Sequence, residues 1–184
     1  MSLAAAFHGP GSYTWDEYQD FPEDGKLYES FGGVLIVSPP PVGRHQLAVG
    51  RLYRLLCDAA PSELLVLTAP YAWFVNQTEW YEPDVMVVPK EEFDPNGPFR
   101  GTPVLVAEVT SPSTRIIAHN LKRETYQSGG CPHYWIVDPE IPSLLALSID
   151  GGTYGEVGSV SDAEVFPATS PFPVEVCPAE LVAL

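Results

Sequence analysis

The run from Val104 to Asp138, VLVAEVTSPSTRIIAHNLKRETYQSGGCPHYWIVD, restricts the fold more than any other stretch. Two short apolar segments, Val104 to Val109 and Tyr134 to Val137, flank a polar segment of helical length. Apolar runs of that length read as strands buried on both faces. Ser111 to Thr114 reads as a turn and Arg115 to Gln127 as a helix that Gly129-Gly130 closes. Strand, helix, strand implies a crossover and parallel pairing of the two strands. Glu108 stands inside the first of them. A carboxylate in a core strand is paired, protonated or metal-bound, because burying it alone is costly.

A second acid, Asp84, lies in Glu82-Pro83-Asp84-Val85-Met86-Val87-Val88. This reads as a strand opening on a proline, where no ladder donor is needed. Leu27 to Phe31 and Val34 to Val37 flank Gly32-Gly33, a hairpin signal, with Glu29 in mid-strand. Arg44 to Ala60 reads as a helix with an apolar stripe of His45, Ala48, Val49, Leu52, Leu55, Leu56 and Ala59. On that stripe His45 is expected to pack rather than to ligate. Thr14 is placed to cap a short helix reaching Phe21, after an irregular leader from Met1 to Gly11. Leu64 to Val75 is strand-like and broken at Pro70, and Lys90 to Gly101 is a loop. Leu144 to Ile149 and Gly152 to Val157 read as a hairpin, and a short helix is expected from Ala179.

With 184 residues, 45% of them hydrophobic, the chain suffices for one domain with a sizeable core. Its core is expected over about residues 26–140, with a β-rich extension over 141–184. Twenty prolines and fifteen glycines favour many short strands over a helical bundle. The fold class expected is α/β of the α+β kind, a mixed central sheet flanked by helices with additional hairpins. A net charge of -15 opposes non-specific nucleic-acid binding by the bulk surface. Six of the nine basic residues, however, fall on the two predicted helices and leave a local basic face open. Cys57, Cys131 and Cys177 are odd in number and lack metal-ligand spacing, so reduced, packed thiols in a cytoplasm are expected. No segment reads as a membrane span or a signal peptide.

Pro83-Asp84, Glu108-Val109-Thr110 and Lys122, in that order, resemble the PD-(D/E)XK nuclease superfamily. More closely, the chain resembles the Uma branch of small bacterial restriction-endonuclease-like proteins. The likeness runs from about Tyr28 to Pro139. It takes in YES before a glycine turn, the His45-Gln46 helix start, EPDVMVV, VAEVTSPSTR, the Lys122/Tyr126 helix and HYWIVDP. It implies a restriction-endonuclease-like fold and metal-dependent hydrolysis of phosphodiester bonds in DNA, with a homodimer if duplex is cut on both strands. By the same resemblance Asp84, Glu108 and Val109 are metal ligands for Mg²⁺ or Mn²⁺. Lys122 assists the attacking water, and Glu29 is a further acid. The chemistry is direct: a hard cation takes oxygen ligands, lowers the pKa of a bound water and neutralises charge on the phosphate.

Two positions depart from the pattern. Thr110 stands where the motif has lysine, a place that the resemblance gives to Lys122. Ala118 stands where relatives often carry an acid, four residues before that lysine. His119, Lys122 and Tyr126 are expected to share one helical face. The alternative function is a nuclease fold that binds without cutting. A third is metal-dependent hydrolysis of a smaller phosphate ester.

Overall fold

A computed structural model describes residues 6–8, 13–112 and 114–184. Its central sheet has six strands in the spatial order β11 (Thr153–Ser161), β10 (Ser143–Asp150), β9 (His133–Asp138), β8 (Leu105–Val109), β7 (Val85–Pro89) and β4 (Leu64–Thr68). The two apolar runs form β8 and β9, which pair in parallel with Glu108 beside Ile136. The other neighbours in this sheet are antiparallel. A parallel pair cannot be closed by a tight turn. The connection here is helical, made of α3 (Arg115–Ile117), a π turn (Ala118–Lys122) and α4 (Arg123–Ser128).

A second, antiparallel sheet runs β1 (Ala6–His8), β3 (Val34–Ser38), β2 (Leu27–Phe31), β6 (Glu79–Tyr81) and β5 (Trp73–Asn76). β12 (Phe166–Ala168) pairs with β13 (Val174–Val176). The remaining α-helices among the described residues are α1 (Trp15–Tyr18), α2 (Gly43–Ala59) and α5 (Pro178–Val182), and Lys90–Glu92 forms a 3₁₀ turn. Among the described residues no helix is long and apolar enough to cross a membrane.

Alternation along the strands sorts the core into two layers. Val85, Val87, Leu105, Ala107, Trp135 and Val137 face one way and pack on Ala48, Leu52 and Leu56 of α2. Met86, Val88, Val106, Tyr134 and Ile136 face the other way, toward Tyr126 and the second sheet's Phe31, Trp73 and Tyr81. Glu108, two residues after Val106, belongs to this second face. It therefore looks at the helix that follows it.

Several boundaries differ from the sequence reading. The strand carrying the EPD motif begins at Val85, and Glu82 to Asp84 form the step that carries the chain from β6 in one sheet to β7 in the other. The β5–β6 hairpin is additional; Asn76 Oδ1 accepts the Thr78 N–H at 2.9 Å in its turn. Ala6–His8 of the supposed leader is a strand paired with β3, and the rest of Met1 to Gly11 lies outside the described residues, as does Ser113 in the turn before α3. The first helix stops at Tyr18, short of Phe21, held by a capping box between Thr14 and Glu17. Of the cysteines only Cys131 is buried; Cys57 is exposed.

The glycine pair after α4 divides its work. Gly130 takes φ +77 and ends the helix. Gly129 is small because a Cβ there would lie 2.8 Å from Trp73 Cη2. Trp73 is fixed by burial and by donating from Nε1 to the Gly101 carbonyl at 3.0 Å. Gly129→Ala, which should favour the helix on propensity alone, is therefore expected to cost about 1–3 kcal/mol by overpacking. Urea unfolding checks this, and a stabilised variant would contradict the packing described.

Candidate active site

The acids meet where the two sheets join. β7 and β8 are antiparallel with Val85 opposite Ala107, so Asp84 falls across from Glu108. Asp84 Oδ2 accepts the Val109 N–H at 2.8 Å, which pins the side chain to the neighbouring strand. Asp84 and Glu108 are 8% and 6% exposed. Thr110, at the motif's lysine position, is buried too. Its N–H and its hydroxyl both donate to the Val137 carbonyl, at 2.7 Å and 3.3 Å, so it serves the β8–β9 edge and not the acids.

Lys122 fills that place from the helix. Its Nζ donates to Glu108 Oε1 and Oε2 at 3.0 Å and 2.9 Å and lies 3.0 Å from Glu29 Oε1. Tyr126 OH donates to Glu108 Oε1 at 2.7 Å. The i→i+5 bonding of the π turn widens the helical repeat, and the residues buried on this face are Ala118, Lys122 and Tyr126. The expected grouping of His119 with Lys122 and Tyr126 is thus corrected. His119 lies nearer Arg115 and Arg123, and burial together with these two cations lowers its pKa.

Glu82, its partner Tyr18 and His45 were not anticipated at the site. Glu82, from the step between sheets, is 2% exposed and accepts from Tyr18 OH at 2.6 Å. Its own N–H donates to Glu29 Oε1 at 3.1 Å, tying β2 to the EPD segment. The signal for Glu82 was its place two residues before Asp84, ahead of a run buried on both faces. His45 is the third group, and it corrects the expectation of mere packing. Its Nε2 lies 3.3 Å from Asp84 Oδ2, and its Nδ1 is buried with no partner among the described residues. Glu29, His45, Glu82, Asp84, Glu108 and Lys122 line one cavity of about 440 Å³.

Around the cavity the helices' basic residues are engaged, while Arg54 of α2 is exposed and lies outside the cavity lining. Lys122 is internal, Arg115 pairs with Asp138, Arg44 stands 4.0 Å from Glu140, and Arg51 and Arg123 donate to the carbonyls of Glu180 and Tyr154.

Charge among the inward-facing groups of the cavity is unbalanced: four buried carboxylates face one ammonium and one imidazole, and Glu140 adds a fifth acid at the lining. Burial pushes Glu82 up to about 7, with the charge of Glu29 adding to it against the Tyr18 hydrogen bond. Burial also pushes Glu108 up to about 7, against the pull of Lys122. The donors aimed at both Glu108 oxygens are nonetheless those of an anion. Burial works against the charge on Lys122, but Glu108, Glu29 and Asp84 outweigh it and hold the ammonium well above the usual lysine range. For His45, burial is likewise outweighed by the Asp84 carboxylate, with Glu108 and the Val109 main chain adding to it, so its pKa is raised.

Among the described residues no three acid, imidazole or thiol side chains stand around one point as ligands would; Glu108 is turned to Lys122 and Tyr126. The donor chemistry nevertheless fits a divalent cation. Carboxylates exceed cations, Val109 lies directly beside Asp84, and His45 Nε2 stands 3.3 Å from the same carboxylate.

Lys122→Met leaves Glu29 and Glu108 buried without their cation, and is expected to cost about 3–5 kcal/mol in urea unfolding at neutral pH. Adding Glu108→Gln should restore part of that loss, because removing both charges costs less than removing one. For Glu82 the folded state binds the proton more tightly than the unfolded chain does. Its share of stability is therefore present in acid and lost as pH rises from the ordinary carboxylate range to about 7. Glu82→Gln should flatten this slope and gain up to about 3 kcal/mol at pH 8. Unfolding midpoints across pH 4–8 check it; an unchanged slope would count against a buried, proton-hungry Glu82.

A search of curated proteins finds no match. Among solved structures, the crystal structure of a "putative nuclease belonging to DUF820" from Anabaena variabilis ATCC 29413 superposes with a TM-score of 0.72 at 17% sequence identity. The match covers 92% of this chain and 97% of that one, which shows a shared restriction-endonuclease-like fold. The model of the Uma2 family, described as "Putative restriction endonuclease", matches residues 15–180. The chain belongs to the Uma2 family.

Proposed function

We propose that this chain is a metal-dependent endonuclease hydrolysing phosphodiester bonds of DNA. One observation carries the reading: Lys122 reaches both oxygens of Glu108 from the helix, so the superfamily's acid–lysine pair is complete although Thr110 has left the motif. Asp84, Glu108 and the carbonyl of Val109 would hold Mg²⁺ or Mn²⁺. When bound, the cation supplies a water of lowered pKa and charge neutralisation at the phosphate.

The remaining roles belong to the chain. Lys122 is held protonated by the acids around it, so it acts as a donor and not as a general base. Its ammonium orients the attacking water or stabilises charge on the phosphate as the transition state forms. Glu29 holds the ammonium from the opposite side, and Tyr126 fixes the rotamer of Glu108. Both strands of a duplex would be cut by a homodimer, since one chain carries one such site.

The binding-only reading is favoured by a different observation. The helix arginines near the cavity are already engaged, and the chain is strongly acidic.

The test is nicking of supercoiled plasmid in Mg²⁺ and in Mn²⁺. Asp84→Ala and Glu108→Gln should each reduce the rate by at least about 10²-fold, the scale of losing a group that stabilises developing charge. Cleavage that survives both substitutions would refute the site. Absence of cation binding by calorimetry would turn the choice to the binding module.

A further inference from the structure

Of the groups lining the acid cavity, His45 comes from the other side of the sheet. It sits in the first turn of α2, whose buried residues pack on the face opposite Glu108. Its side chain is 12% exposed and nevertheless meets the site's leading acid, with Nε2 3.3 Å from Asp84 Oδ2. Packing alone does not account for this residue. An imidazole buries polar nitrogens that a leucine or methionine on the same stripe would not carry, and Nε2 is turned to a carboxylate instead of into the apolar core. An ion pair with Asp84 alone does not account for it either. Asp84 Oδ2 already accepts the Val109 N–H, and Lys122 supplies the cavity with a permanent cation.

The spacing suits a shared cation. Ligand bonds of about 2.1 Å at near right angles place neighbouring donor atoms about 3 Å apart. The Nε2–Oδ2 separation is close to that, and Val109 lies against the same carboxylate. We infer that His45 is a nitrogen ligand of the divalent cation held by Asp84, which makes the centre a mixed imidazole–carboxylate site. This rests on the metal-dependent reading above and gives it a selectivity. Magnesium favours oxygen donors alone, whereas an imidazole strengthens binding of transition-metal ions relative to it. Mn²⁺ is accordingly the better-held ion.

The test uses the full chain loaded with Mn²⁺ and pulsed electron paramagnetic resonance. The wild-type protein should show the ¹⁴N modulation of a directly bound imidazole, and labelling with ¹⁵N-histidine should change it. His45→Asn keeps an amide to meet Asp84 but has no imidazole. It should lose the modulation and weaken Mn²⁺ binding by about tenfold or more, while Mg²⁺ binding changes by less than about threefold. His45→Gln serves as the second variant if His45→Asn does not fold, and His119→Asn should retain the signal. Mn²⁺ bound to the wild-type chain without nitrogen modulation overturns the ligand assignment and leaves the metal-dependent reading intact. No Mn²⁺ bound at all overturns both.

Discussion

The ammonium of Lys122, buried between Glu29 and Glu108, is the contact on which the arrangement of this chain turns. Glu29 belongs to the second sheet, Glu108 to the central one, and Lys122 to the helix between β8 and β9. A single cation thus ties three elements at one point. Such a contact is poor evidence of stability gained. Desolvating the charges costs several kcal/mol per ion, and well-packed apolar residues would hold the elements about as well. What the ion pair does is fix position. Only one placement of the helix satisfies both carboxylates, and Tyr126, one turn on, locks Glu108 in the same register.

The sheet was largely legible. Leu105 to Val109 and Tyr134 to Val137 are buried on both faces, and continuous apolar runs carry that information locally. Burial alone could not show where the EPD strand begins. Trp80 and Tyr81 are as buried as Val85 to Val88 but belong to the other sheet. The change of sheet happens at Glu82 to Asp84, and that is a property of tertiary pairing. Asp84, Glu108, Lys122 and Glu29 were foreseen from the family likeness and do line one cavity. The contact of His45 with Asp84 was not foreseen, for a physical reason. Its spacing matches a buried stripe, and the stripe is real, but periodicity says only that a residue points inward. Here the inward direction at the first turn of α2 ends on Asp84.

The same limit explains the helix. Regular α spacing groups residues 119, 122 and 126, whereas the observed buried set is 118, 122 and 126. Residues 118, 122 and 126 are also i, i+4 neighbours of an ordinary helix, so spacing alone does not choose between the two sets, and no propensity signal in AHNLK announces the π turn. Its consequence is chemical. A lysine displaced from β8 to the helix must reach back to Glu108 from a new direction, and the widened turn puts Lys122 and Tyr126 on one line facing the carboxylate. Thr110 could then give up the acid entirely and spend both of its donors on Val137.

Four buried carboxylates against one ammonium and one imidazole also connect the site to the surface. Proteins seldom keep such an excess unless a cation comes to it, because each uncompensated acid must either take up a proton or raise the energy of the folded state. The arginines nearest the cavity, Arg44 and Arg115, face Glu140 and Asp138 and do not offset it. Attraction for a polyanion must therefore be generated inside the cavity rather than on the rim. On the function proposed, that would place the burden of substrate binding on a divalent cation at Asp84. It also makes the affinity for that cation, set by the donors from β8 and α2, the quantity that would decide whether this acidic chain can hold a phosphodiester at all.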